Sequence, residues 1–425
     1  MSSTEAPASG PASSREVVLD HYRSHVNSGL AKLARLADLP LEVRSEGSLV
    51  FDEQGTAFLD CGGYSVFLLG HRHPDVVAAV KAQLEIHPLA TRLLLSPELG
   101  RASARLAECT PAGLDYVFFT NSGAEATEAG IKLARLAGKT RIISTIGGFH
   151  GKTIGALSAT GREQYRESFD PLLPNVEFVK YGEAEEVRRA LTTDGDHCCV
   201  ILEPVQGENG VVIPPDGYLR DVRRLCDSAG ALLILDEVQT GLGRIGSWWG
   251  ANREQIVPDI LLAGKALGGG VMPVGAAVTN ASIFRKLNSD PLLHTSTFGG
   301  NPMAMAAVEA AIGVTERDDI VARSRTLGEQ VLQELRKIVD ETCPDMVAGV
   351  RGIGLLIGIE FHEEYIATAF MIELLHRKII SSNSLNTARV IRLTPPAVMT
   401  DAECAWLFEA VRATAETMRQ RYGTA

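Results

Sequence analysis

Two charged side chains stand where apolar runs end. Asp236 closes the run LLILD within LLILDEVQTGLGRIG (232–246), and Lys265 follows DILLAG within PDILLAGKALGGGVMPVGA (258–276). The carboxyl ends of strands are where open parallel sheets bind ligands. A carboxylate at such a place must be paired or cost several kcal/mol. A protonated heteroaromatic nitrogen is one suitable partner, because the pairing keeps the ring cationic and a good electron sink. The alternative is an Asp that starts a loop or caps a helix. Lys265 has Gly264 before it and glycines 268–270 soon after. An amine with so little side-chain cover can have a lowered pKa and form a Schiff base with an aldehyde. The alternative is a solvated loop lysine, but the glycines, which let backbone approach a ligand closely, favour the chemical reading.

Two further turns complete a possible site. In NSGAE (121–125) a strand gives way to a helix, so the backbone N–H groups of Gly123 and Ala124 and the Ser122 hydroxyl can face an anion such as a phosphate. Ordinary helix capping by Ser122 is the competing reading. In GGFHG (147–151) Phe149 offers a flat ring in a glycine-rich turn, able to stack on a heteroaromatic group or simply to fill core. His150 and His294 are equally open to a cofactor contact or a structural hydrogen bond.

The elements that must position these residues are legible as short apolar runs without alternation. LDYVFFT (114–120), RIIST (141–145), HCCVILEP (197–204), ALLILDE (231–237), DILLAG (259–264) and VGAAVTN (274–280) read as strands. Helical patterns separate several of them, at 121–138 and 219–229, which predicts a mainly parallel sheet covered on both faces. Cys198 and Cys199 lie inside such a strand and read as core. Residues 41–70 alternate strand and turn signals, with a hairpin at DEQG (52–55). Beyond 305, two helical stretches flank the strand-rich VAGVRGIGLLIGIEF (347–361). The domain reading is a tail (1–14), an N-terminal part of a small domain (15–70), a large α/β domain (71–310) and a C-terminal α+β part of the small domain (311–425).

Composition narrows the function classes. The 425-residue chain is 45% hydrophobic, enough for more than one folding unit, and its net charge of −11 disfavours nucleic acid. No run reaches the roughly 18–20 apolar residues that cross a bilayer. The opening MSSTEAPASGPASS lacks the features of a secretory signal and reads as disordered. Seven dispersed cysteines without a CxxC pair fit reduced thiols in the cytoplasm, and no His or Cys pair has zinc-site spacing.

The segments SGAEATEAGIKLAR, GGFHGKT, LEPVQGENGVVIPP, LILDEVQTGLGRIG, LAGKALGGGVMPVGA and HTSTFGGNPMA resemble, in order, the motifs of the class III (ω-amino) pyridoxal-phosphate-dependent aminotransferases. The likeness runs across roughly 120–305 and extends more weakly over nearly all of the chain after the tail. It implies the α/β fold-type I architecture and a homodimer, or dimer of dimers, with shared active sites. It implies pyridoxal 5'-phosphate as cofactor, with Lys265 as Schiff-base lysine and proton shuttle and Asp236 beneath the pyridine nitrogen. Val238 and Phe149 would take the two ring faces, and Gln239 the phenolic oxygen. Ser122, Gly123 and Ala124 would hold the phosphate, joined by Thr297 from the other subunit. Glu203 and Glu208 match the acidic positions of the family's E-P-x-Q-G-E segment, and Arg392 matches the arginine that grips the acceptor's carboxylate.

Within the family, FLDCGGYSVFLLGHRHP, ALGGGVMPVGA, DPLLHTSTFGGNP and NTARVIRLTPPAVMTDAEC look closest to putrescine (diamine) aminotransferases. The implied reaction moves a primary amine from a diamine or ω-amino donor to 2-oxoglutarate or pyruvate by a ping-pong mechanism. An ornithine or acetylornithine type, a peptide or specialised-metabolite substrate, or an aminomutase or decarboxylase are the alternatives. Departures from the family pattern are Ile245 for the usual Thr, Gly62-Gly63-Tyr64, and Ser381-Ser382-Asn383-Ser384. They bear on the donor. The Trp248-Trp249 pair is open to lining the substrate funnel but reads as packing near the subunit interface.

Overall fold

The computed structural model describes residues 14–422, so the expected disordered tail lies outside the described residues except for Ser14. Near the N-terminus, β1 (Glu42–Glu46), β2 (Leu49–Asp52) and β3 (Ala57–Asp60) form an antiparallel meander. The expected hairpin between β2 and β3 is there. Asp52 Oδ1 accepts the N–H groups of Gln54 (2.9 Å) and Thr56 (2.7 Å), and Gly55 takes the left-handed conformation the turn requires.

The central sheet contains β4 (Tyr116–Thr120), β5 (Arg141–Thr145), β6 (Val176–Val179), β7 (Cys198–Leu202), β8 (Leu232–Asp236), β9 (Ile260–Ala263) and β10 (Gly275–Thr279), in the order β4-β10-β9-β8-β7-β5-β6. All pairings among β9, β8, β7, β5 and β6 are parallel. The expectation of a mainly parallel sheet holds, with one correction. Strand β10 is antiparallel to both β9 and β4. Residues 264–274 are fewer than the roughly dozen a parallel crossover needs, so the chain can only turn back. β6 is an edge strand that sequence pattern did not single out.

Strands β7, β9 and β10 are buried at every position, which is why they read as unbroken apolar runs. The Gly123–Leu136 helix covers one face of the sheet with Ala126, Ala129, Leu133 and Ala134. Its Gly130 permits close approach, since a Cβ there would stand 2.9 Å from Leu262 Cδ2. Fully buried Ile234, Ile260 and Leu262 line the contact, each contributing about 1.5–3 kcal/mol by transfer from water.

The C-terminal part holds β11 (Val347–Ile353), β12 (Leu356–Phe361), β13 (Ile379–Ile380), β14 (Ser382–Ser384) and β15 (Thr387–Leu393). A third sheet has the order β11-β12-β15-β14, whereas β13 pairs in parallel with β3 and ties the two ends of the chain into one sheet.

Candidate active site

Five strands that share one direction end at a single cavity. Asp236 is the last residue of β8, Lys265 follows β9 after Gly264, and Gly123 and Ala124 follow β4. The turn carrying Phe149 and His150 follows β5, and Glu203 follows β7. Together with Gly151, Val238 and Gln239 these residues line a cavity of about 220 Å³. This is the carboxyl edge of a parallel sheet, the expected ligand-binding edge.

Asp236 is buried and held from two sides. Its Oδ2 lies 2.7 Å from His150 Nδ1, and its Oδ1 accepts the Val238 N–H at 3.1 Å. His150 is thereby fixed by a carboxylate, and its Nε2 has no partner among the described residues. Lys265 makes no hydrogen bond or ion pair among the described residues, and its φ of 45° is an uncommon backbone state for a residue with a side chain. Burial pulls its amine below the usual 10.5, with Arg392 adding to the effect and Glu208, Asp236 and Glu203 opposing it. A lowered amine pKa leaves more of the nucleophilic neutral form.

Glu203 accepts the N–H groups of Phe149 (3.0 Å) and Gly207 (3.4 Å), so it braces the turn that presents the Phe149 ring. Burial, then the nearby Asp236 carboxylate, raises its pKa well above the ordinary value. At the helix end, Ser122 Oγ accepts the Glu125 N–H at 3.2 Å. The capping reading of Ser122 therefore holds, and its own hydroxyl proton stays free. The Gly123 and Ala124 N–H groups have no intrahelical acceptor, as first-turn donors never do. A Cβ on Gly123 would stand 2.7 Å from Val238 Cγ1, so a larger residue would push Val238 into the cavity.

Glu208 and Arg392 meet deeper in the molecule. Glu208 Oε1 lies 2.6 Å from Arg392 Nη1, and both side chains are almost wholly enclosed. The ion pair is close but poorly aligned, leaving the Nε and both Nη groups of Arg392 without a directed hydrogen bond. Arg392 is thus a buried cation covered by an internal carboxylate.

Residues 37–414 match the family model of the class III aminotransferases. The chain is a class III aminotransferase. An ornithine aminotransferase from Toxoplasma gondii is 30% identical, covers 97% of this chain and 99% of its own, and superposes with a TM-score of 0.86. An (S)-enantioselective omega-transaminase from Thermomicrobium roseum is likewise 30% identical over 96% of this chain and 100% of its own, with a TM-score of 0.87. A transaminase from the marine bacterium Virgibacillus shares the fold, with a TM-score of 0.88 at 24% identity over 96% of this chain and 100% of its own. The fold is therefore fold-type I, the activity is a transamination, and the cofactor is pyridoxal phosphate.

The residues lining the aminotransferase's cavity fit that cofactor. The unpaired Lys265 amine suits its aldehyde, Asp236 its ring nitrogen, and the free N–H groups at Gly123 and Ala124 its phosphate. Thr297 lies outside the cavity of its own chain and is exposed. His294 also lies away from the cavity; it stacks on Phe118 (4.4 Å between centroids) with Lys132 Nζ 3.3 Å from its Nδ1. Trp249 packs in the core and donates to the Cys109 carbonyl at 2.6 Å. Cys198 and Cys199 are core, as their strand implied.

Sequence reasoning missed several neighbours of the aminotransferase's site. Gln239 Nε2 donates to Ser65 Oγ at 2.9 Å, and Ser65 and Tyr64 adopt φ values of 65° and 49°. Nothing in their residue types signals left-handed backbone. Arg244, from GLGRIG, is buried and donates to the carbonyls of Pro395 (2.6 Å), Leu355 (3.3 Å) and Ser65 (3.4 Å). Burial, with a contribution from Arg392, brings its pKa down to about 9. Glu237, beside Asp236, is buried and accepts the Gly250 and Ala251 N–H groups, both at 2.8 Å. An acidic pair ending an apolar strand was the available signal for that role.

Proposed function

We propose that this transaminase takes the amino group of a diamine or other ω-amino donor and delivers it to a 2-oxo acid in two half-reactions on one site. The observation that carries this reading is the covering of Arg392 by Glu208 at 2.6 Å. With Glu208 in place, a donor meets no free guanidinium, which suits an amine with no carboxylate beside it. When Glu208 withdraws, Arg392 can grip the carboxylate of 2-oxoglutarate or pyruvate in bidentate fashion. The likeness to diamine aminotransferases in the peripheral segments supports the same donor.

Bound pyridoxal phosphate supplies an aldehyde that takes up the amino group and a ring that accepts the electrons released at the donor carbon. Asp236, oriented by His150, keeps that ring nitrogen protonated. Val238 and Phe149 confine the ring, and Gln239 reaches its phenolic oxygen. Ser122, Gly123 and Ala124 hold the phosphate. Lys265 Nζ takes the proton from the donor carbon and returns it on the far side of the transferred nitrogen, two bonds away. Glu203 and Phe149 close the inner wall against water.

We infer that the enzyme works as a homodimer, or a dimer of dimers, in which the partner subunit's Thr297 reaches the phosphate. Leu93, Leu94 and Leu95 (91%, 78% and 101% exposed) and Leu292 (84%) support this reading, because so many large apolar side chains in adjoining loops favour burial against a second copy. Arg92 Nη1 joins the two loops by donating to Gly299 O at 2.6 Å. The large domain extends from about 71 to the end of the Pro302–Arg317 helix, beyond the sequence-based limit at 310, because that helix packs on Pro74–Ile86 and Pro97–Cys109. The small domain takes 15–70 and the remainder. Seven free cysteines suit a reducing, cytoplasmic setting. Among the described residues, no helix is long and apolar enough to cross a membrane.

The test is a donor panel of putrescine, cadaverine, ornithine, acetylornithine and 4-aminobutyrate against 2-oxoglutarate and pyruvate. Diamines should give the highest kcat/KM; ornithine or acetylornithine exceeding them severalfold would overturn the donor assignment.

A further inference from the structure

We propose that Tyr165 and Asn386 form a latch that holds Glu208 over Arg392, and so set how readily the guanidinium is released to an incoming carboxylate. The inference rests on the reading of Arg392 given above. Glu208 is gripped on both flanks. Its Oε1 meets Arg392, while its Oε2 accepts the Leu385 N–H at 3.0 Å and its backbone carbonyl accepts the Asn386 N–H at 2.8 Å. The 385–386 turn, which joins β14 to β15, is therefore the surface against which Glu208 is pressed.

That turn has little hold of its own. The β14–β15 pairing shifts register between Asn383 and Ser384, and Asn383 Oδ1, Ser384 Oγ and Asn386 Oδ1 are buried without partners. Two anchors from distant parts of the chain fix it instead. The Tyr165 hydroxyl, from the short Glu163–Arg166 helix, donates to the Leu385 carbonyl at 2.5 Å. Asn386 Nδ2 donates to the Gly147 carbonyl at 2.6 Å, tying the turn to the loop that carries Phe149. Lys152 Nζ and the Arg162 guanidinium lie 4.5 Å and 5.5 Å from the Tyr165 ring centroid and steady it in turn. Both anchors bear on the peptides that hold Glu208, and neither touches the cavity lined by Lys265. They are positioning residues.

The consequence has a definite sign. Arg392 can bind a ligand carboxylate only in the fraction of molecules in which Glu208 has left, and the apparent affinity is reduced by that fraction. Loosening the latch raises the fraction, so binding should tighten. A purely structural role would weaken it.

The experiment measures glutarate binding to the holoenzyme by calorimetry, for the wild type and for Tyr165→Phe, Asn386→Ala and Glu208→Gln. Losing one anchoring hydrogen bond should tighten glutarate by roughly three- to tenfold. The KM for 2-oxoglutarate should fall in parallel, while the KM for a carboxylate-free diamine should not. In the Glu208→Gln background, Tyr165→Phe should have no further effect, since the latch then has nothing to hold. Asn386→Ala provides an independent variant should Tyr165→Phe fail to fold. Unchanged or weaker glutarate binding in both anchor variants, with tighter binding in Glu208→Gln, would overturn the latch alone. No tightening in Glu208→Gln would instead overturn the reading of Arg392 on which it depends.

Discussion

Burial holds the Lys265 amine below the usual 10.5, and that shift has a thermodynamic signature as well as a catalytic one. A base whose folded pKa is depressed destabilises the fold at low pH, and stability returns as pH rises from the folded value towards the unfolded one. Apo Lys265→Met, which cannot charge, should therefore melt higher than the apo wild type at neutral pH. The gap should narrow as pH approaches 10.5; thermal melts across that range check it. Asp236→Ala should lower kcat by about 10²–10³-fold by removing preorganised charge from the site, measured as single-turnover rates at saturating cofactor. Both residues were legible as charges at the ends of apolar strands. The pairing of Asp236 with His150 was not, because the two are 86 residues apart in sequence and meet only across the sheet's carboxyl edge.

At the level of elements, the site depends on turns that are packed from behind. Gly123→Ala would place a methyl group 2.7 Å from Val238 Cγ1. Overpacking of that kind costs about 1–3 kcal/mol, and here it should appear as weaker cofactor retention on dialysis, with the melting temperature of the apo form less affected. Glu237 fastens the Gly250–Glu254 turn, and burial raises its pKa to about 7. An acid raised in this way binds its proton more tightly when folded, so its contribution to stability falls as pH climbs from about 4.5 to about 7. Glu237→Gln should flatten that part of the melting profile. The strands of the central sheet were readable because full burial removes alternation. The reversal of β10 was not, since an apolar run looks the same in either direction, and the three residues of β14 are too few for any period. The left-handed backbone at Tyr64 and Ser65 likewise follows from tertiary packing rather than from residue type.

For the molecule as a whole, the exposed leucines at 93–95 and 292 are the observation behind the inferred second copy. If they pack against a second copy whose Thr297 reaches the phosphate, as proposed, Leu94→Glu should dissociate that assembly in sedimentation experiments and lower cofactor occupancy as well. A sequence names such residues only through family resemblance, because one chain carries no trace of which surface its copy will cover. The convergence of five strand ends on one cavity is a different matter. It follows from the βα alternation already visible in the apolar runs, and it is what brings Lys265, Asp236 and the Gly123 turn together. The most direct test of that convergence is to reduce the holoenzyme with borohydride, which fixes the cofactor covalently to whichever amine it is bonded to, and to locate the added mass by peptide mapping. A pyridoxyl group on Lys265, with no turnover in Lys265→Ala, is the expected result. A pyridoxyl group on another lysine, or normal turnover in Lys265→Ala, would contradict the account.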